Sequence, residues 1–335
     1  PACIQPAKQP GLYFTDPPEM SEDCLLLDVT APANAENAPV MVWIHGGTLI
    51  WGTSQTDRYT GQAFADRGVV LVSINYRLGA LGFMAHPELS SESPEGVSGN
   101  YGLLDQIAAL EWIQQNISAF GGDPDNVTIF GESAGALSVE HLLSSPRAHG
   151  LYHRAIVQSG YLYTMPELRT ANHGLPAAED VGVYLTEKLG ANDIAGLRSM
   201  DGQAVVDRTA AEGYMPSGIV DGKILVGQLI ETFDAGQQAK VPLMAGFTGG
   251  EIRSLRGLLA PLPDSPSAYE KDIRSRYAEF ADRYLGFYPP GGDTDQTRLD
   301  ATRDVIFTWA IERLVRQQAE AGQPSYQYYF THSYP

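Results

Sequence analysis

The 335-residue chain has few cysteines, few basic residues and no long apolar runs. Only Cys3 and Cys24 are present, which excludes a disulfide-dense small scaffold and a cysteine-rich metal centre. Counting alone reads them a little more readily as two unrelated thiols than as a pair. If they pair, the closed loop restricts the unfolded chain by about 3 kcal/mol and points to an oxidising compartment. Lys and Arg total 22 against 40 Asp and Glu, a net charge of −18, which argues against a nucleic-acid or anionic-membrane partner. No stretch reaches the roughly 18 apolar residues of a membrane span, so none is expected. No signal peptide is visible, and the chain opens at Pro1 without Met, so its first residue reads as a cut edge.

What is present is a globular composition, 43% hydrophobic and 19% charged, in a chain long enough to bury a substantial core. Short Val/Ile/Leu-rich runs at 25–29, 40–44, 69–74, 127–130 and 155–157 read as strands. Their near-continuous apolar character fits a mostly parallel sheet covered on both faces. Further strands are predicted at 241–247 and 326–330. Leu103, Ile107, Leu110, Ile113 and Ile117 recur at helical spacing, and Gly121-Gly122 stops that helix. The stretches 162–239 and 252–322 lack β alternation and read as mainly helical insertions. The predicted class is α/β, a sheet flanked by helices. Asn116-Ile-Ser and Asn126-Val-Thr are formal glycosylation sequons, the second entering a strand.

The chemistry gathers on Gly131-Glu132-Ser133-Ala134-Gly135. A bare G-x-S-x-G arises by chance in about one chain of this length in ten, so its setting decides. It lies between a predicted strand and a helical run, the context of a nucleophile elbow. There the turn lifts the hydroxyl clear, and the helix N-terminus favours developing negative charge. His45-Gly46-Gly47-Thr48 follows strand 40–44 directly, and its glycines let backbone N–H groups approach a substrate oxygen. Gly46, Gly47 and Thr48 form the expected oxyanion loop, with donors at Gly47, Ala134 and Thr48. Glu251, on a glycine-rich loop after strand 241–247, follows the serine in the order that a Ser–acid–His triad requires. Taken locally, Glu251 reads more readily as a surface turn residue.

Ser21–Leu25, Trp43–Gly47, Asn75–Phe83, Gly99–Gln106 and Phe120–Pro124 running into Val127–Ala136 resemble the type-B carboxylesterases, the family of cholinesterases and para-nitrobenzyl esterases. The resemblance is dense over 21 to about 160 and scattered beyond, in blocks such as Val220–Gly222 and Val241–Glu251. It implies an α/β-hydrolase fold in one domain, with helical insertions around an active-site gorge. It also implies a Ser133 nucleophile, a Glu251 acid, oxyanion donors at Gly47, Thr48 and Ala134, and a Cys3–Cys24 disulfide. Thr48 and Leu49 depart from the small residue and aromatic common in relatives, which narrows the loop beside the acyl carbon. Asp28 stands where Asn is common.

In the family the triad histidine lies beyond the strand that resembles 326–330. His45, His86, His141, His149, His153 and His173 all precede the acid, and His332 matches a strand-end position. The histidine is therefore expected beyond Pro335, with family segments missing at both ends. The expected activity is hydrolysis of a small-molecule carboxylic ester through an acyl-enzyme, with no metal or organic cofactor. Secretion or a periplasm is expected from the implied disulfide, with the cytoplasm as the alternative. A non-catalytic adhesion module of this fold and a specialised hydrolase for a toxin, drug or polyester are the alternatives.

Overall fold

The computed structural model describes residues 1–6, 19–55, 60–259, 261, 263–291 and 293–332. Nine strands are present among them: β1 Ala2–Cys3, β2 Met20–Ser21, β3 Leu27–Thr30, β4 Ala38–Ile44, β5 Val70–Ile74, β6 Gly122–Glu132, β7 Arg154–Gln158, β8 Leu243–Thr248 and β9 Ser325–Phe330. The helices of the first half are α1 Gln62–Ala65, α2 Gly79–Phe83, α3 Pro87–Glu92, α4 Tyr101–Asn116 and α5 Ala134–Ser144. The first insertion supplies α6 Ala178–Leu189, α7 Ile194–Arg198, α8 Gly202–Ala211 and α9 Leu229–Asp234. The second supplies α10 Pro266–Tyr277, α11 Ala281–Phe287, α12 Thr294–Arg303 and α13 Trp309–Glu320.

β3 to β9 form a seven-stranded sheet in the order β3-β5-β4-β6-β7-β8-β9. Only β3 runs antiparallel, against β5; the other pairings are parallel. The apolar runs behave as a two-sided sheet demands, and all five residues of β5 are buried. α4 turns the predicted stripe inward, with Leu103, Ile107, Leu110 and Ile113 buried. α5 is buried along its whole length, which explains its small and aliphatic residues.

Most strand boundaries shift by one or two residues from the sequence expectation, and one shifts by five. The first strand begins at Leu27, not Leu25. Leu25 and Leu26 are exposed, because the chain turns at Cys24, whose carbonyl accepts the Leu26 N–H. The Gly131 strand starts five residues early, at Gly122, with an irregularity opposite Ala38–Val40. Cys3 and Cys24 are joined in a buried disulfide beside the β1–β2 pair, which settles the choice that counting left open. Asp28 has a partner of its own, since Ser54 Oγ donates to its Oδ2 at 2.9 Å. Asn116 Nδ2 donates to the Trp112 carbonyl, and Asn126 accepts from Arg154 within β6.

The register positions the site. Ile44 pairs with Gly131, and Glu132 pairs with Gln158. The residues that follow β4, β6, β7 and β8 thus collect at one edge of the sheet, the carboxyl edge where open α/β sheets place their ligands.

Candidate active site

Ser133 adopts φ 57° and ψ −121°, a left-handed conformation uncommon for a non-glycine residue. It is the strained strand-to-helix turn that a nucleophile elbow requires. Its N–H donates to the Gln158 carbonyl at 2.9 Å, and its carbonyl accepts from Leu137 N–H, so β7 and α5 grip the turn from both sides. The glycines answer to close approach. A Cβ on Gly135 would lie 2.0 Å from the Ile44 carbonyl oxygen, so nothing larger lets α5 begin against the end of β4.

The loop Gly46–Thr48, the expected oxyanion loop, meets this turn directly. A Cβ built on Gly46 would lie 3.3 Å from Ser133 Cβ. Gly47, Thr48 and Leu49 follow with φ of 105°, 57° and 60°, three consecutive left-handed residues that fold the loop back on itself. The Gly47 carbonyl accepts from Ile50 and Trp51 N–H at 3.0 and 2.9 Å and from the Thr48 hydroxyl at 2.7 Å, so the backbone N–H groups of Gly47 and Thr48 do not close the turn. His45 anchors the loop from below. It is buried, bonds the Gly46 carbonyl through Nδ1 at 2.9 Å and stacks on Tyr76 at 4.4 Å. The Tyr76 hydroxyl in turn donates to the His45 carbonyl. Burial, only partly offset by the Gly46 bond, lowers the imidazole to about 4, so His45 is a neutral strut.

Glu251 opens the short 3₁₀ turn Glu251–Arg253. Its Oε1 accepts from Ser159 Oγ and from Thr248 N–H, both at 2.6 Å. Ser159 follows Gln158, whose carbonyl holds Ser133, so one strand end ties Glu251 and Ser133 together. Glu132, Ser159, Thr248, Glu251 and Tyr328 line a common recess. Part of Glu132 stays open to solvent, yet desolvation, helped by the charge of Glu251, raises its carboxyl to about 7. Desolvation likewise raises the Tyr328 phenol to about 12, with Glu251 and Glu132 adding to it. Sequence reasoning missed Ser159, Glu132 and Tyr328 as site residues. Only Glu132 carried a signal, its place beside Ser133 in the motif.

The other histidines have other tasks. His86 caps α3 by accepting from Glu88 N–H, His149 bonds the Leu143 carbonyl, and His153 accepts from Val127 N–H. His141 is buried in α5, where desolvation lowers it to about 3. His173 is exposed, and His332 lies past β9, edge-on to Phe330 at 6.2 Å. Among the described residues, no group of three or more His, Cys, Asp or Glu side chains is placed to hold a metal ion. No helix there is long and apolar enough to cross a membrane.

A cavity of about 690 Å³ opens beside the oxyanion loop. Thr48, Leu49, Leu137, Tyr161, Tyr163 and Tyr214 are among its walls.

The family model described as "Carboxylesterase family" matches residues 1–335. The chain belongs to the carboxylesterase family. Among curated members it is 38% identical to the fumonisin B1 esterase of Sphingopyxis macrogoltabida over 324 residues, which is 93% of this chain and 58% of that protein. It is 40% identical to the para-nitrobenzyl esterase of Bacillus subtilis (strain 168) over 270 residues, 78% of this chain and 53% of that protein. It thus spans between half and three-fifths of these two relatives. A solved Geobacillus stearothermophilus carboxylesterase (pH 6.2) superimposes with a TM-score of 0.79 at 33% identity, covering 98% of this chain and 70% of that one. A solved PNB esterase gives 0.77 at 31%, covering 99% and 67%. The fold is the α/β-hydrolase fold of these carboxylesterases. The family blocks now have physical content. Arg77, from one block, makes a bidentate ion pair with Asp105 of another, and Asn75 donates to the Cys24 carbonyl.

Proposed function

We propose that this chain is the catalytic part of a serine carboxylesterase with Ser133 as nucleophile. The observation that carries the reading is the strained Ser133 turn pressed against Gly46 of a left-handed glycine loop. Ser133 Oγ attacks the ester carbonyl while a histidine takes its proton. The carbonyl oxygen gains negative charge and is held by the N–H groups of Gly47, Thr48 and Ala134. The alcohol leaves with the proton, and water then hydrolyses the acyl-serine by the same steps in reverse. Glu251 orients and stabilises the imidazolium. Its Oε1 is already occupied by Ser159 and Thr248, which leaves Oε2 for the imidazole N–H. In this reading none of the seven histidines of the 335 residues is assigned as the base, and the chain spans 58% and 53% of the two relatives it matches.

The substrate class follows from the cavity. Its walls are mostly apolar and aromatic, tyrosine and leucine foremost, with Asp180 and Glu212 as the carboxylates and no Lys or Arg. It suits a bulky, uncharged apolar half of an ester and disfavours an anionic one. The buried Cys3–Cys24 disulfide supports an oxidising compartment, which thiol alkylation of the protein from its native host would test.

The test is hydrolysis of p-nitrophenyl esters by the full-length protein that contains this chain. Turnover is expected to rise from acetate to hexanoate and to vanish in Ser133→Ala. Unchanged turnover in Ser133→Ala would end the proposal.

A further inference from the structure

We infer that Glu140 is a positioning residue, a neutral carboxyl wedged between the nucleophile's helix and the strand end that holds the catalytic acid. The inference rests on the esterase reading for its kinetic arm only. Glu140 lies two turns into α5 and is fully buried. Neither carboxyl oxygen has a hydrogen-bond partner among the described residues. An unpaired carboxylate is far costlier to bury than the neutral acid, so burial holds this group well above the usual carboxylate range. Glu140 in turn acts electrostatically on the half-buried Tyr163 phenol, which accepts from Gly218 N–H.

The place of the carboxyl gives it a role. A Cβ built on Gly160 would lie 2.2 Å from Glu140 Oε1. The acid therefore sits where residue 160 would otherwise carry its side chain. Residues 158–160 are the hinge of the site. The Gln158 carbonyl holds Ser133 N–H at 2.9 Å, and Ser159 N–H donates to the Gly246 carbonyl at 2.7 Å. Ser159 Oγ donates to Glu251 at 2.6 Å. Ser159 does this from φ 56°, a conformation that a non-glycine residue keeps only when its surroundings over-determine it. Glu140 supplies that constraint from below, and it rides on the helix that Ser133 begins. Nucleophile and acid are thus spaced through one wedge: α5 to Glu140, Glu140 to Gly160, and Ser159 to Glu251.

Five proteins test this: wild type, Glu140→Gln, Glu140→Ala, Ser159→Ala, and Glu140→Ala combined with Ser159→Ala. Active sites are counted by fluorophosphonate titration, so that kcat refers only to folded molecules, and thermal midpoints are recorded in parallel. Glu140→Gln, which keeps shape and neutrality, is expected to retain kcat within about threefold. Glu140→Ala is expected to lower kcat per titrated site about tenfold with KM nearly unchanged. In the Ser159→Ala background the same change is expected to cost less than about twofold, since its effect runs through Ser159. A lower midpoint with unchanged kcat per site would make Glu140 merely structural and overturn the inference. Independent, multiplicative losses with Ser159→Ala would overturn it too, as would equal losses in Gln and Ala. If wild type turns over no ester, the esterase reading falls, and a crystal structure of Glu140→Ala decides this inference alone. The Ser159–Glu251 hydrogen bond is expected to open beyond about 3.5 Å; its retention would refute the wedge.

Discussion

Ser133 and Glu251, the proposed nucleophile and acid, stand at the ends of nearby strands, but they are fixed by different means. Ser133 is held by sterics: β4, β6 and α5 converge so tightly that Gly135 has room for no side chain, and every residue of the helix it begins is buried. Glu251 is held by hydrogen bonds from Ser159 and Thr248 on a short 3₁₀ turn. A serine set by packing is shaped as soon as the chain folds. An acid set by two hydrogen bonds depends on a residue 92 positions away in sequence.

Breaking the acid side should show first in chemistry. Glu251→Gln in the full-length protein is expected to lower kcat by about 10⁴, with little change in thermal midpoint, because it loses imidazolium stabilisation rather than packing. A loss below about tenfold would mean that another group orients the base.

Breaking the nucleophile side should show first in stability. Gly135→Ala forces a methyl to within 2.0 Å of the Ile44 carbonyl. It is expected to lower the unfolding free energy in urea by about 3 kcal/mol and to abolish turnover in the molecules that remain folded.

The pH dependence sharpens the contrast on a smaller scale. His45 lies under the oxyanion loop with its folded pKa lowered from 6.5 to about 4, and His141 within α5 is lowered to about 3. In both cases the unfolded chain binds the proton more tightly, so stability is present above pH 6.5 and is lost as pH falls toward 4 and 3. Glu132 has the opposite sign. Its folded pKa of about 7 exceeds the unfolded value of 4.5, so its contribution falls as pH rises from 4.5 to 7. Urea titrations at pH 7 and pH 4.5 are expected to show a drop in unfolding free energy that His45→Gln reduces and Glu132→Gln deepens.

The same contrast explains what could be read from the sequence. The strands and α4 were legible because two-sided burial and helical spacing write themselves into Val/Ile/Leu runs. The elbow was legible because its close approaches admit only small residues, so the need is local and leaves a motif. Glu251 was legible only by chain order and resemblance. Its partner Ser159 carried no signal, since a serine after a strand has many ordinary uses and its bond spans distant segments. Glu140 was opaque for the same reason: its wedge exists only where α5 meets the end of β7. Leu25 and Leu26 misled because apolar residues beside a disulfide look like a strand until the Cys24 turn is seen.

The central claim is that the close packing of the elbow, with the hydrogen bond from Ser133 N–H to the Gln158 carbonyl, presents Ser133 as the nucleophile. The most direct measurement is fluorophosphonate labelling of the folded full-length protein, followed by peptide mapping. The expected result is one adduct, on Ser133. A folded protein that takes no label, or takes it on another residue, would contradict the account.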